Sequence, residues 1–184
     1  MSDCPQPVGN RFDGSGVMRS AVMAILMTLG CLDPSLAETR DQQRESLRGL
    51  QGVEVIVEEI KSDAQVDGLS QESIRAAVEL ILRSKGIRVL TQSERSETAS
   101  KPYLYVSVGT DKQASGQYSF SARVELYQAV ALVQRPQQMT SAPTWSTPGK
   151  LRTVPQQNVR LWIINSIEPL IREFVSDFLA VNPR

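Results

Sequence analysis

The chain has 184 residues and carries 20 Lys and Arg against 20 Asp and Glu, so its formal net charge is zero. It contains no histidine, and its two cysteines, Cys4 and Cys31, both lie near the N-terminus. Transition-metal sites draw mainly on His and Cys, and common acyl-transfer enzymes use His as a base or Cys as a nucleophile. The composition therefore argues against these classes, and it predicts no metal site and no cofactor.

One uncharged apolar run, residues 21–32, follows Arg19 near the N-terminus. It is too short to span a bilayer as a helix, which takes about 20 residues, but it fits the apolar region of a secretory signal. The small residues Ser35 and Ala37 predict cleavage between Ala37 and Glu38. The mature chain would then be a periplasmic or secreted protein without a transmembrane helix.

Two alternatives for this run stay open. Residues 28–31, Thr-Leu-Gly-Cys, resemble the lipobox of bacterial lipoproteins, although Thr28 stands where leucine is expected and Leu29 where a small residue is usual. Lipidation of Cys31 would make the protein an outer-membrane lipoprotein. A buried core helix is the second alternative, but the run shows neither a polar stripe nor caps. The charge-balanced residues 1–17 suggest that translation starts at Met18, or at Val17 from a non-standard start codon.

The domain that begins at Glu38 would have 147 residues, enough for one hydrophobic core. Of the 20 Lys and Arg two precede it, and of the 20 Asp and Glu three do, which leaves 18 against 17 and a net charge of +1. Nucleic-acid binding needs a clustered basic surface, and no basic run occurs. We therefore expect no nucleic-acid partner, and stabilisation by packing without disulfides.

The first half of this domain predicts one clear helix between two strands. Ser70 suits the helix N-terminus and Gly86 its end, while β-branched residues favour the strands. A strand, a helix and a strand in this order predict two parallel strands joined by a crossover. In chain order, we predict a polar, flexible or loosely helical lead-in over residues 38–52, a strand over 53–60 and a loop over 63–68. The helix follows over 70–86, then a strand over 87–91 and a loop over 92–100.

The second half predicts an antiparallel hairpin and a closing helix. Apolar and polar residues alternate along 103–110 and again along 118–133, which is typical of strands with one buried face. Residues 135–143 are predicted as a loop, and 144–154 as a last strand that Pro148 and Gly149 interrupt, as expected at an edge or bulge. A long helix should begin near Pro155 and kink at Pro169.

This order predicts an α+β protein, with one domain over residues 53–184: a two-layer sandwich in which two helices cover one face of a mixed four- or five-stranded sheet. The element order resembles that of small envelope domains, namely those of the lipopolysaccharide-assembly lipoprotein and the TolB amino-terminal domain. The C-terminus resembles that of uncharacterised exported bacterial proteins whose last helix ends F-x-x-D-F/Y-L-x-x-N-P-K/R. The matching residues are Phe174, Asp177, Phe178, Leu179, Asn182, Pro183 and Arg184.

The best candidate site is the face of the sheet that the helices leave uncovered. If the apolar residues of the hairpin pack under the helices, the alternation places Tyr103, Tyr105, Arg123 and Tyr127 on the opposite face. Tyrosine and arginine are enriched in binding hot spots, although exposed strands also use tyrosine for cross-strand packing alone. A weaker candidate is a group of carboxylates near the end of the first strand: Glu58, Glu59, Asp63 and Asp67.

These features favour a non-enzymatic exported protein that binds, or helps to assemble, another protein or envelope component. The open sheet face or an edge strand would form the contact. One alternative is a hydrolase of envelope sugars that uses only carboxylates, which requires a cleft with two facing carboxyl groups. Another alternative is a homodimer whose open faces pair.

Overall fold

The structure is a computed structural model, and it describes residues 34–183. The chain divides into two compact units, Met1–Glu38 and Thr39–Arg184, and every contact described below lies in the second. The predicted signal run at residues 21–32 and the lipidation candidate Cys31 lie outside the described residues. Among the described helices, none combines the length and the apolar character needed to cross a membrane.

The described residues form five helices and five strands. The helices are α1 Pro34–Glu45, α2 Ser62–Val66, α3 Gln71–Ser84, α4 Gln92–Glu97 and α5 Val159–Val181. The strands are β1 Glu54–Val57, β2 Tyr103–Lys112, β3 Tyr118–Leu132, β4 Arg135–Ser146 and β5 Lys150–Val154.

The strands form one mixed sheet in the order β1-β2-β3-β4. β1 is parallel to β2, whereas β2, β3 and β4 are antiparallel neighbours. β5 pairs with the first residues of β3, so β4 and β5 share the same edge of that long strand. The predicted two-layer α+β sandwich with a mixed five-stranded sheet is thereby confirmed.

The core lies between this sheet and the helices α3 and α5. Alternate residues of β2 and β3 point into it, and Leu104, Val106, Phe120, Val124 and Leu126 are each no more than 1% exposed. The predicted capping of α3 is confirmed, because the Ser70 side chain accepts from the Ser73 N–H and Gly86 follows the helix with a positive φ.

Several predicted boundaries were wrong. The second parallel strand is reduced to one bridge between Val53 and Val89, because the chain then turns into α4, whose first turn is capped by Thr91 and Glu94. The loop predicted at 63–68 contains the short helix α2, and α5 begins at Val159, four residues after the predicted start. Pro169 does lie inside α5.

The largest correction concerns residues 135–143, which form most of β4 and not a loop. Their two prolines argued against a strand. β4 is an edge strand, however, so a proline there can turn its missing N–H away from the neighbouring strand at no cost in hydrogen bonds. The expected interruption at Pro148 and Gly149 separates β4 from β5.

The C-terminal motif holds residues 40–49 against α5. Asp177, whose side chain is 8% exposed, accepts from Arg40 at 2.6 Å, from Arg44 at 3.0 Å and from the Trp145 indole at 2.9 Å. Asn182 accepts from the Gly49 N–H at 2.7 Å and donates to the Leu47 carbonyl at 2.9 Å. We call Asp177, Asn182 and these partners the C-terminal clamp.

The clamp gives the polar lead-in a structural role that its sequence did not predict. Residues up to Glu45 are helical, and Leu47 is fully buried. Phe174 packs edge-on against Trp145, with ring centroids 5.2 Å apart, and Phe178 lies beside it at 5.8 Å. Packing and hydrogen bonding inside the fold therefore account for the pattern of these motif residues.

Candidate functional site

The uncovered face of the sheet carries all four residues predicted from the alternation. β2 contributes Tyr103 and Tyr105, and β3 contributes Arg123 and Tyr127. Tyr103 lies directly opposite Tyr127 in the antiparallel pair, while Tyr105 lies opposite Glu125. The strand pairing therefore brings the three tyrosines together, with Arg123 further along β3.

The tyrosines pack into a row that crosses the strands. The Tyr103 and Tyr127 rings are parallel within 6°, with centroids 5.1 Å apart, and the edge of Tyr105 meets Tyr127 at 6.2 Å. Arg95 of α4 places its guanidinium 5.3 Å from the Tyr103 ring centre and forms an ion pair with Glu54 of β1. We call Arg95 and the three tyrosines the aromatic row.

The arrangement decides what the row can offer to a ligand. Arg95 and Tyr127 both pack against the Tyr103 ring, and Tyr127 also meets Tyr105. A flat platform for stacking a sugar ring needs a free ring face, and neighbouring side chains take up this space at Tyr103. The packing therefore favours contact with a protein surface over stacking of a sugar on Tyr103.

The hydroxyls of Tyr105 and Tyr127 are held in their neutral form. Burial raises the pKa of Tyr105, and the nearby carboxylate of Glu58 adds to this effect. Burial also raises the pKa of Tyr127, with Glu125 as the next cause. These hydroxyls therefore stay protonated at neutral pH and act as donors, and that of Tyr127 donates to Glu125 at 3.4 Å.

Arg123 belongs to a neighbouring part of the same face. Its guanidinium lies 3.7 Å from Glu125 and its side chain is 55% exposed. Together with Tyr105 and the segment from Gly149 to Leu151, it lines an open groove of about 380 Å³. The groove is lined by Arg123 and Lys150 against Glu125, so it offers polar contacts and one surplus positive charge.

Beyond the aromatic row, β3 and β4 leave the sheet as a hairpin. We call residues 129–141 the hairpin arm; it turns at Val133 and Gln134. Its apolar side chains are exposed: Val133 is 96% exposed and Met139 56%. Arg135 is the only charged residue between positions 126 and 149. A solvated hairpin usually carries more charge, and two strands alone are marginally stable in water.

The arm and the aromatic row form one continuous surface. The Tyr103 hydroxyl lies 3.4 Å from the Ser141 hydroxyl of β4. A groove of about 320 Å³ opens at the base of the arm, lined by Tyr103, Ala129 and Met139 among others. We call the aromatic row and the hairpin arm together the binding face.

Three of the four acidic candidates near the end of β1, Glu58, Asp63 and Asp67, accept hydrogen bonds within the fold, whereas Glu59 is exposed. Glu58 accepts from the Ser107 hydroxyl at 2.6 Å and from the Val108 N–H at 3.2 Å. Asp67 accepts from Lys112, Tyr118 and Gln156, and the first two of these bonds hold its pKa at about 2. In residues 34–183 no three His, Cys, Asp or Glu side chains come together as a metal ion requires.

No protein-family model and no curated protein matches the chain. The binding face therefore has to be judged on its own geometry. The alternation of β2 and β3 identified its tyrosines, but the arm was missed because the composition of 135–143 favours a loop. The signal that was available is the length of β3, whose alternation runs past the point where β2 begins and so requires another partner strand.

Proposed function

We propose that this protein is a non-enzymatic binding module of the bacterial envelope, which recognises another envelope protein through the binding face. The observation that carries the proposal is the hairpin arm, an exposed apolar projection with one charged residue next to the row of tyrosines. Exposed apolar patches of this kind are a hallmark of protein contact sites. Tyrosine at the base of the arm adds one of the residue types that are enriched in binding hot spots.

The contact chemistry follows from the side chains. The arm supplies apolar surface through Val133 and Met139, and the row supplies hydroxyl groups that donate to backbone or side-chain oxygens of the partner. We expect no strong attraction between the arm and a highly charged partner surface, because Arg135 is the only charged residue of the arm. The partner should therefore present an apolar patch with a polar rim.

Removal of two tyrosines tests the proposal. Tagged wild-type protein and a variant with Tyr105→Ser and Tyr127→Ser are used to capture proteins from the detergent-solubilised envelope of the host. We expect one discrete envelope protein with the wild type and none with the variant. A matched control carries Leu80→Ser and Leu161→Ser, which remove two exposed apolar side chains from the helical layer.

The control must capture as well as the wild type, and both variants must keep the wild-type circular dichroism spectrum. Capture that survives the loss of both tyrosines contradicts the proposal. Recovery of nothing but a second copy of the chain would replace it with the homodimer.

The export of the protein is a separate part of the proposal, supported by the apolar run at residues 21–32 and the small residues before Glu38. The intact mass and N-terminal sequence of the mature protein from periplasmic and membrane fractions test it. We expect a soluble species that begins at Glu38. A lipid-modified species that begins at Cys31 would establish an outer-membrane lipoprotein, and an uncut cytoplasmic chain would contradict export.

A further inference from the structure

The outer edge of β1, which faces away from β2, is only partly paired. Both backbone groups of Val53 are hydrogen-bonded at this edge. Its N–H donates to the Arg88 carbonyl at 3.0 Å, and its carbonyl accepts from the Leu90 N–H at 2.9 Å. Successive residues of a strand direct their backbone groups to alternate sides. Val55 and Val57 therefore present their N–H and carbonyl groups to the same outer edge as Val53.

Beyond Val53 this edge lacks a partner strand. The Val57 carbonyl accepts from the Gln71 side chain at 3.0 Å. Among the described residues, none forms a hydrogen bond with the outward N–H or carbonyl of Val55, although Val55 is only 4% exposed. Buried backbone groups are almost always paired in proteins, with protein or with water. The outward groups of Val55 border an open groove, so they are available for pairing with a neighbour from outside the sheet.

A groove of about 480 Å³ runs along this edge, between β1 and side chains of α3 and α4. Glu79 forms an ion pair with Arg83 at 2.9 Å, and Glu54 forms one with Arg95. Arg75 also lines the groove, and it forms no ion pair with any residue that the structure describes. Three arginines thus face two glutamates, which leaves the groove with one surplus positive charge.

We propose that this groove binds a short extended peptide segment that bears a carboxylate and adds to the sheet beside β1. Pairing with the free groups of Val55 would supply the backbone hydrogen bonds typical of strand addition. The surplus charge at Arg75 would select a carboxylate, whose geometry the guanidinium fork matches. The groove adjoins the binding face, because Arg95 belongs to both, but the strand edge that it exposes lies at the opposite side of the sheet from β4.

A titration followed by NMR tests the site directly. The probe is the acetylated pentapeptide Val-Thr-Val-Thr-Glu, added to isotope-labelled protein. We expect saturable shifts of the Val55 and Val57 amide signals. The same peptide with lysine and an amide in place of the terminal glutamate and its carboxyl group should bind much more weakly. Absence of shifts at Val55 and Val57 at millimolar peptide, or equal binding of the lysine peptide, would overturn the proposal.

Two N-methylated peptides separate strand addition from simple charge attraction. The two peptides carry their methyl groups on the two alternate sets of backbone nitrogens. Only one edge of an added strand faces β1, so the methyl groups block pairing in one peptide and leave pairing intact in the other. We expect one methylated peptide to lose binding and the other to retain it. If both bind like the parent peptide, the groove attracts the carboxylate without pairing and the proposed strand addition is wrong.

The charge is tested on the protein side with Arg75→Gln. The exposed arginine should contribute about a two- to fivefold gain in affinity, the range expected for one surface ion pair. Arg172→Gln is the matched control, because it removes the same charge from α5 outside the groove. Equal affinities of the two variants would exclude Arg75 as the residue that recognises the carboxylate.

Discussion

The C-terminal clamp and the binding face are both rich in aromatic and charged residues, but they use them in opposite ways. In the clamp, Asp177 accepts from three donors, and the Trp145 side chain that it contacts is 1% exposed. On the binding face, the tyrosines are half-buried and the side chains of the arm point into solvent. The hydrogen-bonded partners mark the clamp as structural, whereas the exposed apolar surface of the arm supports the proposed contact role of the binding face.

In this protein the C-terminal sequence motif and the proposed binding site lie in different regions. The residues of the C-terminal sequence pattern, such as Asp177 and Asn182, hold residues 40–49 onto the last helix. The binding face carries no motif at all. If the comparison is right, substitutions in the clamp should change stability, and substitutions in the arm should change binding and leave stability intact.

The largest effect is expected for Asp177→Ala. It leaves the Trp145 indole buried without an acceptor and removes the common partner of Arg40 and Arg44. We expect the free energy of unfolding to fall by about 3 kcal/mol, as measured by urea denaturation. Glu168→Ala on the same helix breaks only the exposed pair with Arg172 and should cost about 0.5 kcal/mol. Equal costs would show that the clamp does not stabilise the fold.

A smaller loss is expected for Asn182→Ala, the other end of the clamp. The Asn182 side chain bonds to Gly49 and Leu47, so its removal releases the segment after α1 from the end of α5. We expect a cost of about 1.5 kcal/mol. Hydrogen exchange should show faster exchange of the Gly49 amide. An unchanged rate there would mean that other contacts hold this segment.

On the binding face, Tyr127→Ala should cost about 1 kcal/mol, because it removes two aromatic contacts from a half-buried position. Thermal and urea denaturation measure this loss, and Tyr127→Phe should restore most of the stability since it keeps the ring. A cost as large as that of Asp177→Ala would make the aromatic row a structural feature and would weaken the contrast between the two regions.

The smallest effect on stability is expected in the arm. Val133→Thr combined with Met139→Thr replaces exposed apolar side chains, so the free energy of unfolding should change by less than about 0.5 kcal/mol. Capture of the envelope partner should nevertheless fall strongly. A large loss of stability would show that the arm packs on the fold, in conflict with the exposure of these side chains.

The sequence predicted the elements whose periodicity is set by one buried face. The alternation of β2 and β3 and the caps of α3 could be predicted, because each depends on residues close together in the sequence. The clamp could not be predicted from the sequence, since Arg40 and Asp177 lie far apart in the chain and meet only in the folded protein. The arm was hidden by Pro136 and Pro143, which are compatible with a strand only at an edge, and edge position is a property of the assembled sheet.

Site-specific photo-crosslinking in living host cells tests directly whether the binding face contacts an envelope protein. A photoreactive residue is placed at Met139 in the arm, and in a control protein at Val66, which is 85% exposed but lies outside the binding face. The account predicts that position 139 yields one discrete adduct with an envelope protein and that position 66 yields none. The same adducts from both positions, or no adduct from position 139, would contradict a binding function for this face.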